Sequence, residues 1–109
     1  MKALEGKVAL ITGASRGIGT AIAQRFAAEG ATVIVSARTL ETHKHLPGSL
    51  NKTVEIIEKA GGTAYAIQAD MSDYTSRHAL FEKAGEIAGP IDILVNNAAA
   101  CFYFTIENL

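Results

Sequence analysis

Three glycines fall within seven positions, Gly13, Gly17 and Gly19, in the stretch TGASRGIG that runs from Thr12 to Gly19. Glycine at such density lets another group approach the backbone closely and leaves N–H donors uncovered. Where such a turn leads from a strand into a helix, those donors and the positive end of the helix dipole converge, and an anion belongs there. The spacing is G-x-x-x-G-x-G rather than G-x-G-x-x-G, so the agreement with a dinucleotide-binding turn is one of mechanism. No Gly-Lys-Ser/Thr follows, which excludes a P-loop. Close packing of helix on strand is the alternative use of these glycines.

Other reactive side chains are sparse. His43 and His45 stand one residue apart in a polar stretch that supplies no further ligands, so a solvated loop is preferred to a metal site. Cys101 is the single cysteine; it has no partner for an internal disulfide, which points to a reducing, cytoplasm-like compartment. It reads as a small buried residue in preference to a modifiable thiol, and Phe102, Tyr103 and Phe104 beside it read as packing residues.

The elements that position the turn follow from periodicity. Lys7 to Thr12 is a continuous aliphatic and β-branched run, the pattern of a parallel strand covered on both faces. From Arg16 to Glu29 the residues Ile18, Ile22 and Phe26 recur every fourth position, and Gly30 closes a helix. Thr32 to Ser36 is a second strand; Leu50, Val54 and Ile57 mark a second helix that closes at Gly61 and Gly62. Thr63 to Gln68 is a third strand. A helix from about Tyr74 carries Leu80, Ala84 and Ile87 on one face, with Ser72 or Asp73 as its cap and Gly89-Pro90 as its stop. Ile91 to Val95 is a fourth strand. Thr39 to Leu50 is long for a connection and holds Pro47 and Gly48, so it reads as a surface loop or an inserted turn.

This alternation predicts an α/β fold, a doubly wound parallel sheet in the order 3-2-1-4 with helices on both faces and the site at the carboxyl ends of strands one and four. The 109 residues, 49% of them apolar, suit one domain with a modest core. A net charge of -1 gives no basic field for nucleic acid. The apolar run Val8 to Ile11 is too short for a signal peptide or a membrane span.

TGASRGIG resembles the T-G-x-x-x-G-x-G motif of the short-chain dehydrogenase/reductase family, and NNAA at Asn96 to Ala99 resembles that family's N-N-A-G after its fourth strand. Ala69-Asp70 falls where the family has an adenine-contacting aspartate. The resemblance covers essentially the whole chain and implies a nicotinamide dinucleotide whose pyrophosphate lies across the turn. It implies that Gly13, Ser15, Arg16, Gly17, Ile18 and Gly19 line the phosphates, that Asp70 and Met71 meet the adenine, and that Asn96, Ala98 and Ala99 meet the ribose side. An aspartate can accept from the exocyclic amine while the next amide serves a ring nitrogen; the alternative for Asp70 is a cap for the following helix. Ala99 stands where the motif has glycine, which crowds the nicotinamide side. The long Thr39 to Leu50 loop resembles the hydroxysteroid-dehydrogenase-like branch of the family.

NAD-specific sites place a carboxylate at the end of the second strand to bond both ribose hydroxyls, and it repels a 2'-phosphate. Here that end reads Ser36-Ala37-Arg38, and Arg16 lies in the glycine turn. Two arginines with a small serine make a phosphate clamp, which favours NADP(H) over NAD; solvated surface is the alternative for either arginine.

In the family the tyrosine of a Y-x-x-x-K pair exchanges a proton with the alcohol or carbonyl oxygen, its pKa lowered by the lysine, with an upstream serine and a supporting asparagine. The fourth residue after Tyr65 is Ala69, after Tyr74 it is His78, and after Tyr103 it is Glu107, so no such pair occurs. The chain therefore reads as the cofactor-binding first part of a longer, NADP-preferring oxidoreductase, inactive by itself, acting on a small alcohol or carbonyl compound and homo-oligomeric at full length as the resemblance implies. Its fourth strand is expected to form an exposed apolar edge prone to association. The alternative is a non-catalytic nucleotide-binding or association module.

Overall fold

Val8–Thr12 (β1) is buried at all five positions, because a strand in the middle of a parallel sheet has helices over both faces and no solvent side. The computed structural model describes residues 2–13, 17–37, 50–70 and 73–96, with the backbone alone at positions 17 and 18. The element order is β1, α1 (Gly17–Ala28), β2 (Thr32–Ala37), α2 (Leu50–Lys59), β3 (Thr63–Gln68), α3 (Tyr74–Ala88) and β4 (Ile93–Asn96). All pairings are parallel and the sheet order is β3-β2-β1-β4, as the alternating pattern requires.

The two faces carry separate cores. Ile11, Val33 and Val35 pack with Ala23, Ala27, Leu50 and Ile57 under α1 and α2, and the alanines of α1 let its backbone come close to the sheet. On the other face Leu10, Ile34 and Ile67 pack with Leu80 and Ala84 of α3. The α1 helix ends in a Schellman turn: Gly30 N–H reaches Ala27 O at 3.0 Å and Ala31 N–H reaches Phe26 O at 3.1 Å. Gly30 has φ +98°, and a Cβ there would lie 3.0 Å from Glu5 Cα, so both conformation and space demand glycine.

Several sequence boundaries move. The first strand begins at Val8 rather than Lys7, and β2 runs on to Ala37. Leu50 is already the first residue of α2 and is fully buried, so it does not belong to the preceding loop. The fourth strand is Ile93–Asn96 rather than Ile91 to Val95. Asp92 is the reason at its start: its N–H donates to Val8 O at 2.9 Å while its Oδ2 accepts from Val8 N–H at 2.9 Å, so a side chain takes the place of a ladder carbonyl. Ile87 is 41% exposed instead of sharing the buried face of Leu80 and Ala84, because the stripe steps from Ala84 to Ala88 in the last turn. Leu94 is 53% exposed on β4, the outer strand of the described sheet.

The Asp92 contact joins residues 84 positions apart and ties the amino end of β4 to the central strand. Asp92→Ala should remove a charge-assisted hydrogen bond and lower stability by roughly 1–2 kcal/mol. The check is the urea midpoint; an unchanged midpoint contradicts the role given to this carboxylate.

Candidate functional site

Because all four strands are parallel, their carboxyl ends form one edge of the sheet, roughly 14 Å across for three strand spacings. Gly13, Gly17, Gly19, Asp70 and Asn96, singled out by spacing or by resemblance, follow or close strands along it. Gly13 leaves β1 with φ +65°, a left-handed conformation that costs a side-chain-bearing residue energy, and α1 begins at Gly17 only four residues later. The amino terminus of α1 therefore stands over the end of β1. Its first turn carries no acidic residue, so no side chain there offsets the dipole, and Gly19 is buried.

Asn96 is the last residue of β4 and lies in register with Thr12. The Thr12 hydroxyl is 3.2 Å from Asn96 Oδ1 and 3.4 Å from Val95 O, two acceptors that share its one hydrogen. This bond fixes Asn96 beside the glycine turn at the meeting of β1 and β4, where the chain reverses its direction of travel across the sheet.

At the other end of the edge, Asp70 follows β3 and is partly buried. The helix cap is Asp73: its side chain accepts from Ser76 N–H at 3.3 Å, and its backbone is extended. Capping α3 thus falls to Asp73 of the two candidates Ser72 and Asp73, and Asp70 is not needed for it. The Asp70 N–H donates to Ser76 Oγ at 2.7 Å, a bond that no motif in the sequence announced. The nearest signal was a serine three residues beyond the cap, where longer side chains reach back in a capping box.

Ser36 departs from expectation. Strand alternation puts it on the same face as Ile34, fully buried against the α3 side, so it does not join a surface phosphate clamp. Its Oγ has no hydrogen-bond partner among the described residues. Ala37, the partly buried last residue of β2, packs toward the α1 and α2 face. Ile18 lies in α1, where only its backbone is described. Ser15, Arg16, Arg38, Met71, Ala98 and Ala99 lie outside the described residues, as do His43, His45, Cys101 and Tyr103.

Features elsewhere lack this convergence. A shallow groove of about 300 Å³ opens at the opposite, amino edge, lined by Lys2, Glu5, Gly30, Gly61 and Gly62 among others, away from the glycine turn. Tyr65 on β3 is 40% exposed, and Tyr74 stacks on His78 with ring centroids 6.2 Å apart, while Arg77 lies 5.8 Å from its ring centre. At the far end of α2, Lys59 holds the Glu55 carboxyl below its usual range through a 2.8 Å ion pair and is itself pushed up, both groups being exposed. Among the described residues no three His, Cys, Asp or Glu side chains gather to hold a metal, and no helix is long and apolar enough to cross a membrane.

A family model for short chain dehydrogenases matches residues 7–108. Hydroxysteroid dehydrogenase-like protein 2 of Xenopus tropicalis is 48% identical over 97 residues, covering 89% of this chain and 23% of that protein, which bears out the resemblance to that branch. A crystal structure of a short chain dehydrogenase from Mycobacterium thermoresistibile superposes with a TM-score of 0.86 at 46% identity, covering 96% of this chain and 38% of that one. A metagenomic short-chain oxidoreductase in complex with NADP matches with a TM-score of 0.80 at 38% identity, over 89% of this chain and 41% of that one. The chain spans less than half the length of each of these relatives. With a family match along nearly its whole length and a four-stranded parallel sheet that superposes on solved members, the chain belongs to the short-chain dehydrogenase family.

Proposed function

We propose that residues 1–109 form the cofactor-binding part of an NADP(H)-dependent oxidoreductase that interconverts an alcohol and a carbonyl compound. The observation that carries this reading is the carboxyl edge, where the α1 terminus, Asn96 and Asp70 stand in a row suited to an extended dinucleotide. The donor set fits such a group: backbone N–H at the α1 terminus for the pyrophosphate, a carboxylate for an exocyclic amine, and an asparagine at the switch point for the ribose side.

In this reading Gly13, Ser15, Arg16, Gly17, Ile18 and Gly19 hold the pyrophosphate, Asp70 and Met71 the adenine, and Asn96, Ala98 and Ala99 the nicotinamide side. The Thr12 hydroxyl keeps Asn96 in place, so β1 orients the ribose as well as launching the turn. Arg38 follows the last residue of β2 with no carboxylate before it, and with Arg16 it binds the 2'-phosphate. When bound, the cofactor supplies or accepts the hydride. The proton on the substrate oxygen is handled by groups outside these 109 residues, which hold no Y-x-x-x-K pair. The metagenomic relative solved with NADP supports the cofactor class.

The test is calorimetric titration of the full-length protein with NADPH and then with 2',5'-ADP as competitor. The expected result is saturable binding of one NADPH per chain that the competitor displaces. Failure to bind NADPH, or NADPH binding that 2',5'-ADP does not displace, contradicts the proposal.

A further inference from the structure

We infer that Ser76 is a positioning residue for adenine recognition, acting through Asp70; the inference rests on the dinucleotide reading proposed above. Three hydrogen bonds close a ring between the end of β3 and the first turn of α3. Asp70 N–H donates to Ser76 Oγ at 2.7 Å, Ser76 N–H donates to Asp73 Oδ2 at 3.3 Å, and Asp73 N–H donates to Asp70 O at 3.1 Å. Both backbone polar groups of Asp70 are therefore held, its N–H by the Ser76 side chain and its C=O by the Asp73 backbone.

The geometry has a directional consequence. The bonds to the N–H and C=O of Asp70 restrain its two flanking peptide planes, and those planes set where its Cα–Cβ bond points. Removing the Ser76 hydroxyl frees one plane while the other bonds persist, so the carboxylate loses its aim without the helix losing its cap. The Asp73 cap does not depend on the serine side chain, because it is the Ser76 backbone N–H that it accepts from. Water can replace the lost acceptor at this partly buried site, so the fold tolerates the change while the orientation does not. Alanine is also the better helix former at position 76, which further protects folding.

The experiment uses the full-length protein, Ser76→Ala and Ser76→Thr, each titrated with NADPH and with the reduced hypoxanthine analogue, whose base lacks the exocyclic amine that Asp70 accepts from. Ser76→Ala should weaken NADPH by roughly 3- to 10-fold, the range of one hydrogen bond, and the analogue by less than about 2-fold. Ser76→Thr keeps a hydroxyl and should restore the preference for NADPH. In an Asp70→Ala background, Ser76→Ala should have no further effect, since a residue that acts through another is silent once that other is gone.

Unfolding midpoints of all variants accompany the titrations. Equal weakening of both nucleotides, unchanged NADPH binding by Ser76→Ala, or a full effect in the Asp70→Ala background overturns the inference. A wild type that binds NADPH but shows one of these outcomes leaves the dinucleotide reading intact, whereas a wild type that binds neither nucleotide removes both.

Discussion

Gly17→Val is expected to reduce NADPH affinity at least about 100-fold, equivalent to roughly 3 kcal/mol, while the protein stays folded. Gly17 is the first residue of α1, at the helix end that stands over β1. A branched side chain there occupies the space into which a pyrophosphate must descend to meet the free N–H groups of the first turn. Valine has the higher helix propensity of the two, and the urea midpoint reads the folding cost. Gly13 would be a poor choice for this test: at φ +65° any substitution strains the backbone, and lost binding could not be separated from lost folding. Calorimetry and a urea midpoint on the same preparation check the result. Retained affinity with valine at position 17 places the phosphates elsewhere.

Removing the Arg38 side chain should weaken NADPH by about 10- to 150-fold and leave NADH nearly unchanged, because a charge-assisted contact to the 2'-phosphate is worth roughly 1.5–3 kcal/mol and NADH has no such phosphate. Ala37→Asp should go further and reverse the preference. It sets a negative charge against the phosphate and offers a free ribose diol two acceptor oxygens, so one cofactor loses as the other gains. Position 37 closes β2 and is only partly buried, packing against the core under α1 and α2, so a urea midpoint of this variant accompanies the titrations. Titrations with both cofactors at low salt make the comparison. Equal losses on removing Arg38, or a wild type that already prefers NADH, contradict the NADP assignment and leave the fold untouched.

The order of elements was legible because β1 and β2 carry aliphatic and β-branched runs and each helix is followed within two residues by a positive-φ glycine, Gly30, Gly61 or Gly89. Boundaries were less so where a side chain replaces a backbone partner. Asp92 bonds Val8 through its carboxylate, and nothing in a hydropathy pattern distinguishes that from a strand residue. Grouping Ser36 with the arginines of a phosphate clamp overlooks strand alternation, which puts it on the buried face beside Ile34. The bond from Asp70 to Ser76 was invisible because a serine in the first turn of a helix is ordinarily neutral, and only the path of the chain after β3 brings it to the Asp70 amide. Gly13, Gly17 and Gly19 stand out by type and spacing alone, whereas Asp70 and Asn96 are indicated only by the resemblance of Ala69-Asp70 and NNAA to the family's motifs.

Hydrogen exchange of the full-length protein with and without saturating NADPH tests the placement of the cofactor most directly. The account predicts slowed exchange in three stretches distant in sequence, residues 13–20, 68–76 and 96–99, whose described residues Gly13, Asp70 and Asn96 stand at the carboxyl ends of β1, β3 and β4. Lys2, Glu5 and the stretch from Gly61 to Thr63, around the groove at the amino edge, should exchange at the same rate in both states. Protection confined to that amino-edge groove, or absent from residues 13–20, would contradict a pyrophosphate held at the start of α1.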